Sequence, residues 1–309
     1  MNIKDDILYQ ELCKYCGEEN VLRDEPMSNH TLTKLGGKAD FFVTPVTYEQ
    51  TRQVIRIVYD HDIPFLFLGN GSNMIVRDGG VRGIVLSLKK LANIKVDGER
   101  MIAQGGADII DASEKALECE LTGLEFACGI PGTIGGAMVM NAGAYGGEVK
   151  DVVETVTVVS KEGEIFTLSN EDMSFDYRKS IVSKKGYIVL ETVFHLEKGD
   201  PSVIKETMED LTHRRESKQP LEYPSAGSVF KRPPGYFAGK LIQDSELQGK
   251  GFGGAEVSTK HAGFIVNKGN ATATDYISTI NMVRKTVKET FGVELELEVK
   301  IVGEEKQDS

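Results

Sequence analysis

The stretch Gly129-Ile130-Pro131-Gly132-Thr133-Ile134-Gly135-Gly136-Ala137, continued by Asn141-Ala142-Gly143-Ala144-Tyr145-Gly146-Gly147, puts almost no side chain between its backbone and whatever lies against it. Glycine permits close approach and positive φ, at an entropic cost that an ordinary connection need not carry. The run therefore reads as a ligand cradle. A second segment, Leu68-Gly69-Asn70-Gly71-Ser72-Asn73, follows the apolar run Ile63-Pro64-Phe65-Leu66-Phe67, which reads as a buried strand. Successive N–H groups in such a loop form an anion nest, so Gly69, Asn70, Gly71, Ser72 and Asn73 are candidates to hold a pyrophosphate, the Ser and Asn side chains adding donors. The loop is not a Rossmann fingerprint: the third glycine is missing, and Met74-Ile75-Val76 follows where a helix should open. Taken alone, the loop reads equally as a tight hairpin. Two strand-to-loop cradles in one chain point to a large bound nucleotide.

At 309 residues the chain is long enough for two or three compact units with a cleft between them. Its 47 acidic against 36 basic side chains give a formal charge of -11. That balance argues against broad nucleic-acid or anionic-membrane binding, so an anionic substrate must be met by a local cluster of Arg and Lys. No apolar run approaches the roughly 20 residues that span a bilayer. The opening Met1-Asn2-Ile3-Lys4-Asp5-Asp6 lacks a signal-peptide layout, and the expected location is the cytoplasm. Cys13-x-x-Cys16 has no second pair of matching spacing in Cys119 and Cys128, and the five His are scattered. No metal site is expected.

Along the chain, Tyr48 to Asp60 has Val54, Ile55 and Val58 on one helical face. Leu91 to Ala103 and Asp151 to Leu168 read as strands and hairpins, and Ile181 to Leu196 as one strand-like stretch. The turn cluster Lys198-Gly199-Asp200-Pro201 precedes a polar helix over Ser202 to Lys218. It places the domain boundary between residues 1–200 and 201–309. Near the end, Thr272-Ala273-Thr274-Asp275 fits a capping box, Tyr276, Ile280, Val283, Val287 and Phe291 form a stripe, and Gly292 closes the helix. Val293, Leu295, Leu297, Val299 and Ile301 then alternate with Glu294, Glu296, Glu298 and Lys300, predicting a strand whose glutamates share one face.

The two glycine loops together resemble the flavin segments of vanillyl-alcohol-oxidase-like (PCMH-type) proteins. More closely, the chain resembles the UDP-N-acetylenolpyruvoylglucosamine reductase family over nearly its whole length. The blocks that carry the likeness are Leu68 to Asn73, Gly129 to Gly147, Tyr177-Arg178-Lys179-Ser180, Ser225-Ala226-Gly227-Ser228-Val229-Phe230-Lys231 and Glu298-Val299-Lys300-Ile301-Val302-Gly303. The resemblance implies an α+β protein: an FAD-binding domain of two α/β subdomains with FAD between them (1–200) and a smaller α+β substrate domain (201–309). It implies non-covalent FAD on Gly69 to Asn73 and on Gly129, Ile130, Pro131, Gly132, Thr133, Gly135, Gly136, Ala137 and Asn141, with NADPH as co-substrate. The implied reaction completes UDP-N-acetylmuramate for peptidoglycan. Hydride passes from flavin N5 to the enolpyruvyl β-carbon of UDP-N-acetylglucosamine enolpyruvate, Ser228 protonates the α-carbon, and Arg178 and Glu298 match the other catalytic positions. The protein is expected to be a monomer.

These residue types suit that chemistry. Hydride addition pushes charge onto the carboxylate of the enol ether, and the planar, permanently charged Arg178 can meet it. Ser228, on an open glycine turn, is accessible enough to give a proton. Glu298 either orients the arginine or, if protonated, donates to the developing charge. Without the resemblance the three read as a surface ion pair, a turn residue and sheet-edge charge. Tyr177, Lys218, Lys231 and Lys260 are the substrate-binding candidates, with Arg214, Arg215, Arg232 and Lys240 nearby in sequence. The uninterrupted Ile181 to Leu196 leaves no room for the inserted loop and covering tyrosine of longer members, and Arg232 stands where those carry Asn. The chain thus matches the shorter form, in which Tyr223, Tyr236, Lys260 and His261 are open candidates around uridine. Two rivals stand beside this reading: an oxidase of the same fold, often tethered to flavin through His or Cys, for which Cys128 is the thiol near a cradle, and a non-catalytic nucleotide-sugar binder.

Overall fold

The structure, a computed structural model, describes residues 3–306. Contacts divide the chain into two units: Met1–Arg23, Asp40–Asn70 and Gly83–Arg214 form the first, and Asp24–Ala39, Gly71–Arg82 and Arg215–Ser309 the second. The division differs from the single cut after residue 200. Turn composition marks where a chain bends, whereas a unit is defined by what buries together. Leu35 and Ile75, far upstream, share a buried cluster with Val229, Tyr276 and Val299.

The first unit holds α1 (Ile3–Cys16), α2 (Tyr48–Asp60), α3 (Ile109–Glu118), α4 (Ile134–Met140), α5 (Ile181–Lys185) and most of α6 (Pro201–Lys218). Thr47 caps α2 by accepting the Gln50 N–H, and Val54, Ile55 and Val58 are buried with Phe41, Ile84 and Leu86. The strand Phe65–Leu68 runs parallel to Val81–Ser87, with Phe65 opposite Ile84, and most of its residues are only half-buried. A five-stranded antiparallel sheet has the order Ile165–Ser169, Val153–Val159, Ile188–His195, Arg100–Gln104, Ile94–Asp97. Its Val156, Val158, Val189 and Phe194 pack with Ile109 of α3 and with Ile134 and Met138 of α4.

Ile181 to Leu196 is not one strand. Ser183 Oγ accepts the Ser180 N–H at 3.2 Å, Gly186 ends α5 with φ 69°, and only Ile188–His195 is extended. A five-residue helix is too short to display a 3.6-residue period in sequence.

In the second unit the strands Ser225–Ser228, Phe264–Asn267, Ala255–Val257 and Gly251–Phe252 form an antiparallel sheet in that order, packed with α7 (Ala238–Asp244) and α8 (Ala273–Phe291). Thr272 and Asp275 make the expected capping box, and Gly292 closes α8 at φ 68°. Asp78 adds acceptors for the N–H groups of Ala273 and Thr274 at 2.9 Å each. The C-terminal alternation survives as burial, Leu295 and Val299 being inside, but only Lys300–Val302 forms a ladder, parallel to Met74–Val76. Upstream of it, among the described residues, an isolated bridge from Phe230 to Leu297 takes the place of a ladder. Among the described residues no helix is long and apolar enough to cross a membrane, and no group of three metal-ligating side chains occurs.

Candidate active site

Within the first unit the two glycine-rich runs meet. An antiparallel bridge joins Asp108 to Thr133, and a Cβ on Gly69 would lie 2.6 Å from Thr133 Oγ1. Thr133 also caps α4, accepting the Gly136 N–H at 3.1 Å. The run Gly129 to Ala137 is therefore not one open loop. The N–H groups of Ile134 and Gly135 go to the carbonyls of Ala107 and Gly105, both at 2.8 Å, and Thr133, Gly135 and Ala137 are buried. Gly135 is glycine because a Cβ there would press on the Gly105 carbonyl at 3.0 Å. Gly129, Ile130, Pro131, Gly132 and Gly136 remain partly exposed. A Cβ on Gly132 would find no atom of the described residues within 4 Å.

Asn70 Nδ2 donates to Asp108 Oδ1 at 2.6 Å, which fixes the amide's orientation because a carboxylate only accepts. Asn70 Oδ1 is then buried without a partner among the described residues. Such an orphan costs roughly 1–3 kcal/mol, so the position calls for a donor from a ligand. The hydroxyl and N–H groups of FAD supply donors, and the space at Gly132 admits a close-lying group; the residues present fit this cofactor. Asp108 was not a sequence candidate, since nothing local marks an N-cap of α3 as the partner of a residue so far upstream.

Gly71, Ser72 and Asn73 belong to the second unit. Gly71 is buried at φ 60°, and a Cβ there would sit 2.4 Å from the His30 carbonyl. Its lack of a side chain is thus already required by packing against His30 and Thr31. Asn73 Nδ2 donates to the Glu298 carbonyl at 3.1 Å.

Arg178 occupies a tight turn of the first unit. Asp176 and Lys179 exchange both main-chain hydrogen bonds, at 3.0 and 3.2 Å, and their side chains form an ion pair at 2.8 Å. The Lys179 ammonium, then the Tyr177 N–H, hold the Asp176 carboxyl below its ordinary range. Arg178 takes φ 56°, a left-handed conformation costing an L-residue roughly 1–2 kcal/mol. Its guanidinium stacks 5.1 Å from the ring of exposed Tyr177 and reaches the Gly143 carbonyl at 3.5 Å.

Ser228 and Glu298 come together in the second unit. The Glu298 N–H donates to Val229 O at 2.9 Å, and the Lys231 N–H to Glu296 O at 2.9 Å, so the two segments run side by side. Ser225 faces Val266 and Ser228 faces Phe264, leaving one extra residue on the Ser225–Ser228 strand, with Gly227 at φ 71°. Such a bulge re-aims the residue beside it, and Ser228 is exposed while Val229 is fully buried. Glu298 is half-buried, unlike exposed Glu294 and Glu296, so the glutamates do not share one solvated face.

Of the basic candidates, Lys231 pairs with Glu296 at 3.2 Å, and Lys260 Nζ donates to the Glu216 carbonyl at 2.7 Å, beside the end of α6 where Lys218 is exposed. Cys128 Sγ donates to the Met208 carbonyl at 3.6 Å.

Residues 39–169 match the FAD binding domain family, and residues 219–302 match the UDP-N-acetylenolpyruvoylglucosamine reductase C-terminal domain. The chain is 68% identical over 298 residues to the UDP-N-acetylenolpyruvoylglucosamine reductase of Geobacillus thermodenitrificans, covering 96% of this chain and 98% of that one. The chain belongs to the UDP-N-acetylenolpyruvoylglucosamine reductase family. The crystal structure of a family member, the reductase from Thermus caldophilus, superposes with a TM-score of 0.78 at 32% identity, over 91% of this chain and 97% of that one. Beyond the family, a Phl p 4 variant described as a glucose oxidase shares the fold over 63% of this chain and 44% of its own, with a TM-score of 0.50 at 15% identity. The family places the chain among FAD-dependent oxidoreductases with an α+β architecture.

Proposed function

We propose that the protein reduces UDP-N-acetylglucosamine enolpyruvate to UDP-N-acetylmuramate with NADPH, as a cytoplasmic monomer supplying peptidoglycan synthesis. The observation that carries this reading is the Glu298 N–H to Val229 O bond, which puts a carboxylate and the exposed Ser228 hydroxyl on neighbouring segments in a chain that belongs to this family. FAD, when bound, supplies a non-covalent carrier of hydride from NADPH to the enolpyruvyl β-carbon. Gly129 to Gly132 and Gly136 would hold it, with Asn70 Oδ1 accepting from one of its hydroxyl or N–H groups; the N–H groups of Gly71 to Asn73 are the candidates for its pyrophosphate.

Ser228 Oγ gives its proton to the α-carbon, and its exposure at the bulge is what makes that proton deliverable. Arg178 binds the substrate carboxylate on which charge accumulates, with Tyr177 covering the guanidinium face. Glu298, half-buried, is the third catalytic residue, either orienting the arginine or, if protonated, donating to the developing charge. Lys218, Lys231 and Lys260 supply local basic charge for the substrate's diphosphate and carboxylate.

The test separates the half-reactions by stopped-flow absorbance. Ser228→Ala should leave flavin reduction by NADPH unchanged and slow reoxidation by the enolpyruvyl substrate about 10²–10⁴-fold. Equal slowing of both halves, or unimpaired reoxidation, removes Ser228 from the reaction. A purified protein that neither carries nor takes up FAD removes the whole reading.

A further inference from the structure

Asn141 is 1% exposed and sits at the C-terminal end of α4 with φ 43°, in the left-handed region. Its side chain faces three groups of the protein. Nδ2 lies 2.9 Å from Glu148 Oε2 and 3.3 Å from the Asp176 carbonyl, and Oδ1 accepts the Lys150 N–H at 3.3 Å. An asparagine amide offers two donor hydrogens and one carbonyl oxygen, so both hydrogens and the oxygen are engaged. That leaves the amide no donor to present to a cofactor, while its oxygen keeps a second lone pair.

Both Nδ2 bonds bear on the Arg178 turn. Asp176 opens the turn, and further along it the Ser180 hydroxyl also reaches α4, donating to Val139 O at 3.2 Å. Glu148 stands near the guanidinium; the Lys150 ammonium at 2.6 Å, then Asn141, keep its carboxyl ionised below the ordinary range, and the Arg178 charge acts in the same direction. Arg178 itself is in a backbone conformation that persists only when its surroundings over-determine it.

We propose that Asn141 is a positioning residue for Arg178: its amide ties the Asp176 carbonyl and the Glu148 carboxylate to the end of α4, and so sets where the guanidinium meets the substrate carboxylate. This rests on the reading of Arg178 as the carboxylate-binding residue. Asn141 then belongs to the substrate half of the chemistry rather than to FAD binding.

The experiment compares Asn141→Gly, Asn141→Asp and Arg178→Lys with the wild type. Glycine accepts the left-handed backbone and removes only the amide; aspartate keeps the shape and the acceptor for Lys150 but loses both donors. Three quantities are read: FAD affinity from the visible spectrum of reconstituted protein, the rate of flavin reduction by NADPH, and the rate of reoxidation by the enolpyruvyl substrate. The expected result is wild-type FAD affinity and reduction in both Asn141 variants, with reoxidation slowed roughly 10- to 100-fold by a misplaced guanidinium. Weakened FAD binding, equal slowing of both half-reactions, unimpaired reoxidation, or failure of both variants to fold overturns the proposal. If Arg178→Lys reoxidises at the wild-type rate, the reading of Arg178 fails by itself. If Arg178→Lys is slow and the Asn141 variants are fast, only the Asn141 proposal falls.

Discussion

The Asn73 side chain donates to the main-chain carbonyl of Glu298 at 3.1 Å, while the Asn73 carbonyl accepts the Lys300 N–H at 3.0 Å. A residue of the glycine-rich segment is thereby laced on both sides to the strand end that carries the proposed carboxylate. Asn73→Ala removes one of these bonds from a partly buried setting and should lower the urea-unfolding free energy by about 1 kcal/mol. It should also slow reoxidation by the enolpyruvyl substrate more than reduction by NADPH, because Glu298 loses a backbone anchor. Unchanged stability together with balanced half-reactions would show the bond to be idle.

Two glycines assigned to the cofactor differ in what their missing Cβ makes room for. Gly71→Ala meets the His30 carbonyl and should destabilise the apoprotein, whatever it does to FAD. Gly132→Ala touches none of the described residues, so its apo melting temperature should stay at the wild-type value while FAD affinity falls. Thermal unfolding of the flavin-free protein, set beside flavin titration, distinguishes them. Wild-type FAD affinity in Gly132→Ala would place the cofactor away from this loop.

Gly227 has open space around a would-be Cβ but a φ of 71°. Gly227→Ala should therefore act through backbone strain alone, costing roughly 1–2 kcal/mol. If the strain is relieved by closing the bulge, register forces Ser228 to the opposite face and turnover is lost beyond the stability change. Gly227→Asn, which tolerates left-handed φ, should recover most of both. Equal activity in the alanine variant would mean that the bulge does not aim Ser228.

His261 accepts the Gly263 N–H through Nδ1 at 3.1 Å, so its proton rests on Nε2, and its ring meets the edge of Phe264 at 4.8 Å. Burial lowers its pKa. The unfolded chain therefore takes up a proton before the folded one as pH falls, and the contribution of neutral His261 is full above about pH 6.5 and lost below it as pH drops through the folded value. His261→Asn keeps an acceptor near the same place without titrating. Its urea midpoint should fall less than that of the wild type between about pH 7 and 5.5; an identical fall in both proteins would assign the pH dependence elsewhere.

Local chemistry was enough to read several elements from the sequence. Thr272, Asp275 and Gly292 carry the start and stop of α8 in their own side chains, Val54, Ile55 and Val58 declare the inner face of α2, and the two glycine-rich runs announce a backbone that something must approach. The likeness of whole blocks, rather than spacing, singled out Arg178, Ser228 and Glu298. What those blocks touch was decided by residues distant along the chain. His30 explains Gly71, Asp108 orients Asn70, Gly105 requires Gly135, and Asp176 with Glu148 engages Asn141. Strand Ile188–His195 begins late because a capped turn of helix intervenes, and residues 24–39 and 71–82 bury with the C-terminal part because apolar area is gained there. Sequence periodicity records what each residue prefers against its near neighbours; which carbonyl a Cβ would strike, and which amide is already engaged, exists only once remote segments are packed together.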